Sequence, residues 1–371
     1  MAKIMDVYIA KADAPESEAY ATLTLPATPF EFFDALDKAR VQQGDELYFQ
    51  VEEYHAFESM EPYISDADNL AELNALCQKL SELNDRQSAA FEGLLKMEAA
   101  KKDGPVSLAK LIDLAYSADC CHVVDEALND SQLGRYYAEN GFVPEVDNLS
   151  DRLFDLLDFE RIGREQRHGE GGVFTEHGYV VQHSELNEVY KDMNFRIQTP
   201  FYQILLELPD GNRLELPSAN LPEASSHHCV DCRVPQLMAT IDVADLQSVS
   251  NFAEMLQNIG DKPMRKYKAI LHATGCNALE EAVELAGHMD DFVFTESVSG
   301  FRDLAMDEMK FMMSNEDAAL LAKHTDLIGY GKDILKRDHS AISQYGLVER
   351  QDGQPMNAPF EQQTQSGMEM M

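Results

Sequence analysis

The segments "MDVYIA" and "AYATLTLPA" are short, β-rich and separated by a polar turn, a pattern that predicts two strands. The next stretch, "TPFEFFDALDKARVQ", changes to helical spacing, and its start is marked chemically. Thr28 and Glu31 have capping-box spacing, and Pro29 stands at the first helical position, where a missing N–H costs nothing. "LYFQVE" returns to alternation, with Leu47, Phe49 and Val51 on one face of a third strand. Asn69 and Glu72 form another candidate capping box, opening a helix with Leu73, Leu76, Cys77 and Leu80 on one side. Further helices are predicted over Arg86–Ala99, Leu108–Ala115, Ser131–Asn140 and Leu149–Gln166. A short strand is predicted at Cys121–Val124 and a closing hairpin in "GGVFTEHGYVVQH". The order is mixed α+β, with no repeated βαβ signal.

The pattern then recurs. "KLSELNDRQSAAFEGLLKM" (Lys79–Met97) lies over "MLQNIGDKPMRKYKAILHA" (Met255–Ala273) at a shift of 176, with Leu80 on Leu256, Asp85 on Asp261, Phe91 on Tyr267 and Leu94 on Ile270. "SLAKLIDLA" (Ser107–Ala115) then matches "ALEEAVELA" (Ala278–Ala286). "LDFERIGRE" (Leu157–Glu165) matches "TDLIGYGKD" (Thr325–Asp333) at a shift of 168, the shift that also sets Gly178 of "EHGYVV" on Gly346 of "SQYGLV". Collinear matches of this kind read as a tandem duplication. Copy one is expected at about 1–190, with a sheet plus helix to about 68, a helical part over 69–125 and an α+β part over 126–190. Copy two is expected at 199–350, and the polar, aperiodic tail 351–371 is expected to be disordered.

Charge changes the picture. The chain carries 66 Asp and Glu against 30 Lys and Arg, a net charge of −36. Residues 1–195 hold 39 acids and 16 bases, and residues 196–371 hold 27 and 14, so the excess is not an acidic tail. Val41 to Gln78 is 38 residues with nine acids and no Lys or Arg, including Glu52, Glu53, Glu58, Glu61, Asp66, Asp68 and Glu72. Leu111–Gly134 is also free of Lys and Arg and carries Asp113, Asp119, Asp125, Glu126 and Asp130. Ala269–Phe301 repeats this with Glu280, Glu281, Glu284, Asp290, Asp291 and Glu296. Such a field repels nucleic acid and membrane surfaces and attracts basic ones. Duplex DNA carries one charge per ~1.7 Å, so the net charge corresponds to roughly 60 Å of duplex. With 44% hydrophobic residues in regular periodicity, the acidity belongs to packed domains rather than to a disordered chain. No signal peptide or apolar run of membrane-spanning length is expected, and sparse cysteines fit a reducing cytoplasm.

Catalytic chemistry is not legible. "SSHHCVDCRVP" offers Cys229 and Cys232 with His227 and His228 beside them, a weak zinc candidate without a second ligand pair at finger spacing; the competing reading is a polar inserted loop. Adjacent Cys120 and Cys121 on a strand read as one core and one half-exposed residue. "GYGK" (Gly329–Lys332) lacks the first glycine of a phosphate loop, since Asp326 occupies that position, and Gly331 reads as a close helix–helix contact. Met309, Met312 and Met313 read as core. No catalytic residue and no cofactor are expected.

At these residues the sequence resembles a known family, the ArdA antirestriction proteins. The resemblance begins at "MDVYIA", continues through "LAELNALCQKLSEL" and "LGRYYAENG", and is most specific at "LDFERIGRE". That run is similar to the family's antirestriction motif region, here Asp158, Phe159, Glu160, Gly163, Arg164 and Glu165. Copy two matches more weakly: Ile328 replaces Glu160, and "HHCVDC" falls where the first helix should be. The resemblance implies an elongated chain of small antiparallel-sheet and helical subdomains. It also implies mimicry of bent B-form DNA and inhibition of type I restriction–modification enzymes, through the methyltransferase core that holds DNA. Carboxylates would stand in for phosphates, and Lys and Arg would be excluded because each cancels a mimicked charge. Dimerisation in the family implies either a homodimer or, with two copies on one chain, a single-chain pseudo-dimer. The alternative function is an acidic mimic aimed at another defence nuclease or a nucleoid protein.

Overall fold

The computed structural model describes residues 2–42, 44–65, 68–101, 106–146, 149–223 and 226–360. Its elements follow the pattern closely. Copy one runs β1 (Met5–Lys11), β2 (Ala21–Leu25), α1 (Pro29–Lys38), β3 (Leu47–Tyr54), α2 (Leu70–Ser81), α3 (Asp85–Ala99), α4 (Leu108–Ala115) and β4 (Cys121–Val124). It ends with α5 (Asp130–Glu139), α6 (Asp151–Phe154), α7 (Phe159–Glu170), β5 (Val173–Thr175) and β6 (Gly178–Gln182). Copy two runs β7 (Ile204–Glu207), β8 (Arg213–Leu216), β9 (His228–Cys232), α8 (Met238–Ile241), α9 (Leu246–Asn258), α10 (Asp261–Thr274), α11 (Leu279–Gly287) and β10 (Phe292–Thr295). Then follow α12 (Phe301–Met312), α13 (Asn315–Ala322), α14 (Leu327–Asp338), β11 (Ala341–Ser343) and β12 (Gly346–Arg350).

The duplication is visible in topology. The sheets β2-β1-β3 and β8-β7-β9 share one strand order, and β4-β6-β5 and β10-β12-β11 share another. Equivalent backbone bonds close them. The Ile4 amide donates to Leu25 (2.7 Å) as Gln203 does to Leu216 (2.8 Å), and His183 donates to Cys120 (2.9 Å) as Gln351 does to Asp291 (2.9 Å). The fold class is α+β with small antiparallel sheets.

Local chemistry explains the helix starts. Thr28 and Glu31 form the reciprocal capping box of α1, with Pro29 in its first turn. Asn69 caps α2 from its side chain, and Asn84 with Gln87 forms a second capping box at α3. The helix expected over Leu149–Gln166 is divided into α6 and α7. Asp158 breaks it, because its carboxylate accepts the Arg161 amide at 3.0 Å and so begins α7 as an N-cap.

The chain divides into two compact units. One comprises the chain up to Tyr8, Leu23–Ala27 and Phe49–Gln198; the other comprises Ile9–Thr22, Thr28–Tyr48 and the chain from Thr199 onward. Among the described residues copy two has no helix between β8 and β9, and the second unit takes α1 instead. Phe30 packs edge-on against Tyr202 at 5.7 Å, and Asp231 on β9 accepts from the Thr28 hydroxyl (2.7 Å), the Phe30 amide (3.4 Å) and the Tyr202 hydroxyl (2.9 Å). A buried polar cluster holds the other end. Asp34 is 3% exposed and accepts from Lys268 (2.7 Å), Lys38 (2.9 Å) and the Tyr345 hydroxyl (2.9 Å). Around it lies a core from Ile204, Leu206, Phe252, Tyr267, Ile270, Phe292 and Val348.

The first ten residues of the expected tail depart from the reading as disorder. Met356 and Phe360 pack on this core, with the Phe360 ring stacked on His288 at 3.9 Å and beneath the Arg350 guanidinium. Two isolated apolar side chains carry no periodicity, which is why the sequence pattern missed them. Residues 361–371 lie outside the described residues.

Candidate functional site

The acidic stretches separate into two kinds of carboxylate. Glu52 and Glu53 on β3, and Glu58 and Glu61 on the 3-10 turn Glu58–Tyr63, are exposed. Asp119, Asp125 and Glu126 flank β4 and are also exposed, with Asp125 paired to Arg86 at 2.9 Å and Asp119 accepting from Gln87 at 2.9 Å. The others are half-buried and structural. Asp68 accepts the Ser65 amide at 2.8 Å, and Glu72 accepts the Tyr190 hydroxyl at 2.9 Å. Asp113 accepts the amides of Val189 (2.8 Å) and Tyr190 (2.9 Å), fastening the segment that follows copy one onto α4. Asp130 takes a bidentate grip from Arg167, whose hydrogen bonds hold its carboxyl below the usual range. Asp66 lies outside the described residues.

In the second unit Glu280, Glu281 and Glu284 are exposed along α11, and Asp290 and Asp291 follow on the 3-10 turn Met289–Asp291. Glu280 and Glu281 gain from the positive end of the helix dipole, but Glu280 and Glu284 repel across one turn. No Lys or Arg between Ala269 and Phe301 offsets that repulsion. The partly shielded members are Asp291, which meets His288 at 2.7 Å, and Glu296, which Arg265 ties to Asp37. The arrangement keeps surface negative charge uncompensated at a cost to the helix that bears it.

The motif residues form a helix start and a helix crossing. Asp158 caps α7; the Phe159 ring packs on Phe154 at 5.3 Å and lies beneath Arg135 at 4.7 Å. Glu160 and Arg164 pair one turn apart (3.4 Å), as do Arg161 and Glu165 (2.9 Å). Gly163 is buried where α7 crosses α5. In α14 the same roles recur: Asp326 caps through the Gly329 amide at 3.0 Å, Gly331 makes the crossing against Phe301, and Lys332 stands over the Phe301 ring at 5.3 Å.

"HHCVDC" is strand β9 of a core sheet rather than a polar inserted loop, and Cys229 and Cys232 are both buried in it. Burial pushes both thiols up, Cys232 to about 12, and so disfavours the thiolate that zinc requires. His227 meets the Ile241 carbonyl at 2.8 Å and His228 meets Asp242 at 3.2 Å. Asp231, between the cysteines, is the residue with a decisive role here, and burial raises its carboxyl pKa despite the bonds from Thr28 and Tyr202. Met309 is buried as expected of core, whereas Met312 is 56% exposed.

Asp34, Lys268 and Tyr345 also escaped the sequence reading. A Lys at the heart of an apolar helix face was the available signal, since Lys268 falls among Met264, Tyr267 and Leu271 on α10. Among the described residues, no helix is long and apolar enough to cross a membrane. Comparison with curated proteins returns no significant match. Residues 20–181 match a family described as Antirestriction protein (ArdA), a span that holds the first set of exposed carboxylates and all of the motif helix. That match makes copy one, rather than the whole chain, similar to the ArdA antirestriction proteins.

Proposed function

We propose that the chain is a non-enzymatic DNA mimic that occupies the DNA-binding channel of a type I restriction–modification enzyme, at its methyltransferase core, and blocks restriction and modification. The observation that carries this reading is the exposed carboxylate series Glu52, Glu53, Glu58 and Glu61 of the first unit, in a sequence stretch that holds no Lys or Arg and lies within the family-matched span. A basic channel that neutralises phosphates gains affinity from released counterions, and carboxylates on a fixed scaffold draw on the same electrostatics without base pairs. Glu280, Glu281 and Glu284 support the same role for the second unit. The protein acts in the bacterial cytoplasm, where the target enzyme is, and binds neither nucleic acid nor membrane.

The test is competition. Purified chain should displace a DNA duplex from the methyltransferase core, with an inhibition constant that weakens steeply as salt rises. An inhibition constant indifferent to salt, or inhibition that leaves DNA bound, overturns the reading. Because two copies share one chain, a pseudo-dimer of a single chain is the expected assembly. Light scattering should then give about 41.7 kDa, and a mass of twice that, undiminished on dilution, favours the homodimer.

A further inference from the structure

Asp6 on β1 and Glu53 and His55 on and just after β3 bring one ligand atom each to within 4.8 Å of one another. The imidazole Nε2 of His55 stands 3.2 Å from Asp6 Oδ2. That is close to the ~3.4 Å separating two ligands of a tetrahedral ion with bonds of about 2.0–2.1 Å. The Asp6 side chain is half-buried, and its other oxygen, Oδ1, is shielded from water and has no hydrogen-bond partner among the described residues. A carboxylate partly removed from water without a donor on one oxygen is costly, and a cation held by the group offsets the charge that burial penalises.

Copy two shows what the same sheet needs when no such site is present. His55 donates its amide to Ile4 at 2.8 Å, as Arg233 donates to Gln203 at 2.9 Å, so Arg233 occupies the position of His55. By the same count Leu205 stands where Asp6 does and Asp231 where Glu53 does, and Leu205 and Asp231 are paired across β7 and β9. The fold therefore tolerates Leu and Arg at these places. The imidazole and the second carboxylate belong to copy one alone.

We propose that Asp6, Glu53 and His55 bind one divalent transition-metal ion, of the zinc class. Two carboxylates and an imidazole suit zinc better than magnesium, which prefers all-oxygen surroundings and keeps its waters. Both strands belong to one sheet, so the ligands are held by hydrogen-bonded backbone rather than by a loop. A net charge of −36 concentrates cations around the chain in general, and the imidazole supplies the selectivity that bare carboxylates lack. The proposal does not depend on the antirestriction reading.

The full chain, stripped with chelator, is titrated with Zn2+ by calorimetry against a background of excess Mg2+ that occupies diffuse carboxylate sites. One Zn2+ per chain is expected to bind above that background. His55→Gln and Glu53→Gln, both at exposed positions, should each weaken binding about tenfold or more. Co2+ in the same site should give visible ligand-field absorption that disappears in His55→Gln. Asp6→Asn adds a third ligand test, read only if its circular dichroism matches the parent chain. Weak multi-site heats that His55→Gln leaves unchanged, or Zn2+ uptake that persists in both exposed variants, overturn the site.

Discussion

Gly134 and Gly163 face each other where α5 crosses α7, and neither position has room for a methyl group. A Cβ on Gly163 would stand 1.9 Å from the Asp130 carbonyl oxygen, and one on Gly134 would stand 1.9 Å from that of Phe159. Backbone lies against backbone, so no side chain can yield. Gly163→Ala should therefore destabilise its unit by about 3 kcal/mol, at the upper end of the range for overpacking. The check is a fall in thermal midpoint of roughly 6–12 °C, with secondary structure retained at low temperature. Gly331→Ala should do the same in the second unit, where a Cβ would meet the Phe301 carbonyl oxygen at 2.2 Å.

This crossing shows what the sequence made legible and what it did not. Gly331 was readable as a close-approach residue because it lies on an otherwise regular helix. Gly163 lay hidden inside a motif whose acidic and basic members drew the eye, although its role is the same. Helix starts were readable because caps are local chemistry: Thr28, Asn69 and Ser107 each act within three residues of themselves. The destination of α1 was not readable. It depends on Asp231 and Lys268, more than 200 residues away. The acidic runs showed where charge is dense, but not that Glu72, Asp113 and Asp130 are spent on hydrogen bonds while Glu53, Glu58 and Glu280 are exposed.

The Asp34–Lys268 pair gives a pH dependence. Burial alone would raise the Asp34 carboxyl, but Lys268 and Lys38 overcome that and hold it below its ordinary 3.8. A depressed carboxyl contributes stability that is present above the unfolded value and lost as pH falls through the folded one. The contribution is thus complete at neutral pH and disappears only in acid, below 3.8. Asp34→Asn should cost about 3–5 kcal/mol at neutral pH, because it leaves Lys268 buried with Asp37 alone at 3.4 Å. It should also flatten the acid limb of the stability curve. Denaturant titrations from neutral to acid pH on both proteins provide the check.

Thiol chemistry should be slow throughout. Cys77, Cys229 and Cys232 are buried, and burial pushes up the thiols of all three as well as Cys121 (to about 12) and Cys276 (to about 11). A disulfide-exchange reagent at neutral pH should label the native chain far more slowly than the denatured one, since the thiolate is the attacking form. Rapid native labelling of Cys229 or Cys232 would show that β9 is not seated in the core.

The two kinds of carboxylate should respond differently to neutralisation. Glu58→Gln or Glu61→Gln removes one exposed charge among many and should weaken inhibition only slightly, by a factor of about two to five, the scale of a surface ion pair. Stability should change little, because both side chains are exposed. The triple variant Glu280→Gln, Glu281→Gln, Glu284→Gln should lose more inhibition and gain helix stability, since it relieves the repulsion between Glu280 and Glu284. Asp113→Asn keeps the shape but weakens the acceptor of the Val189 and Tyr190 amides, so its loss should appear in thermal stability first. The discriminating measurement pairs each variant's inhibition constant at two salt concentrations with its melting temperature. Surface variants should reduce the slope of inhibition against salt without lowering the melting temperature, whereas Asp113→Asn should lower the melting temperature at constant slope. If one exposed carboxylate alone abolished inhibition, the charge would be acting at a discrete site and not as a distributed substitute for phosphate.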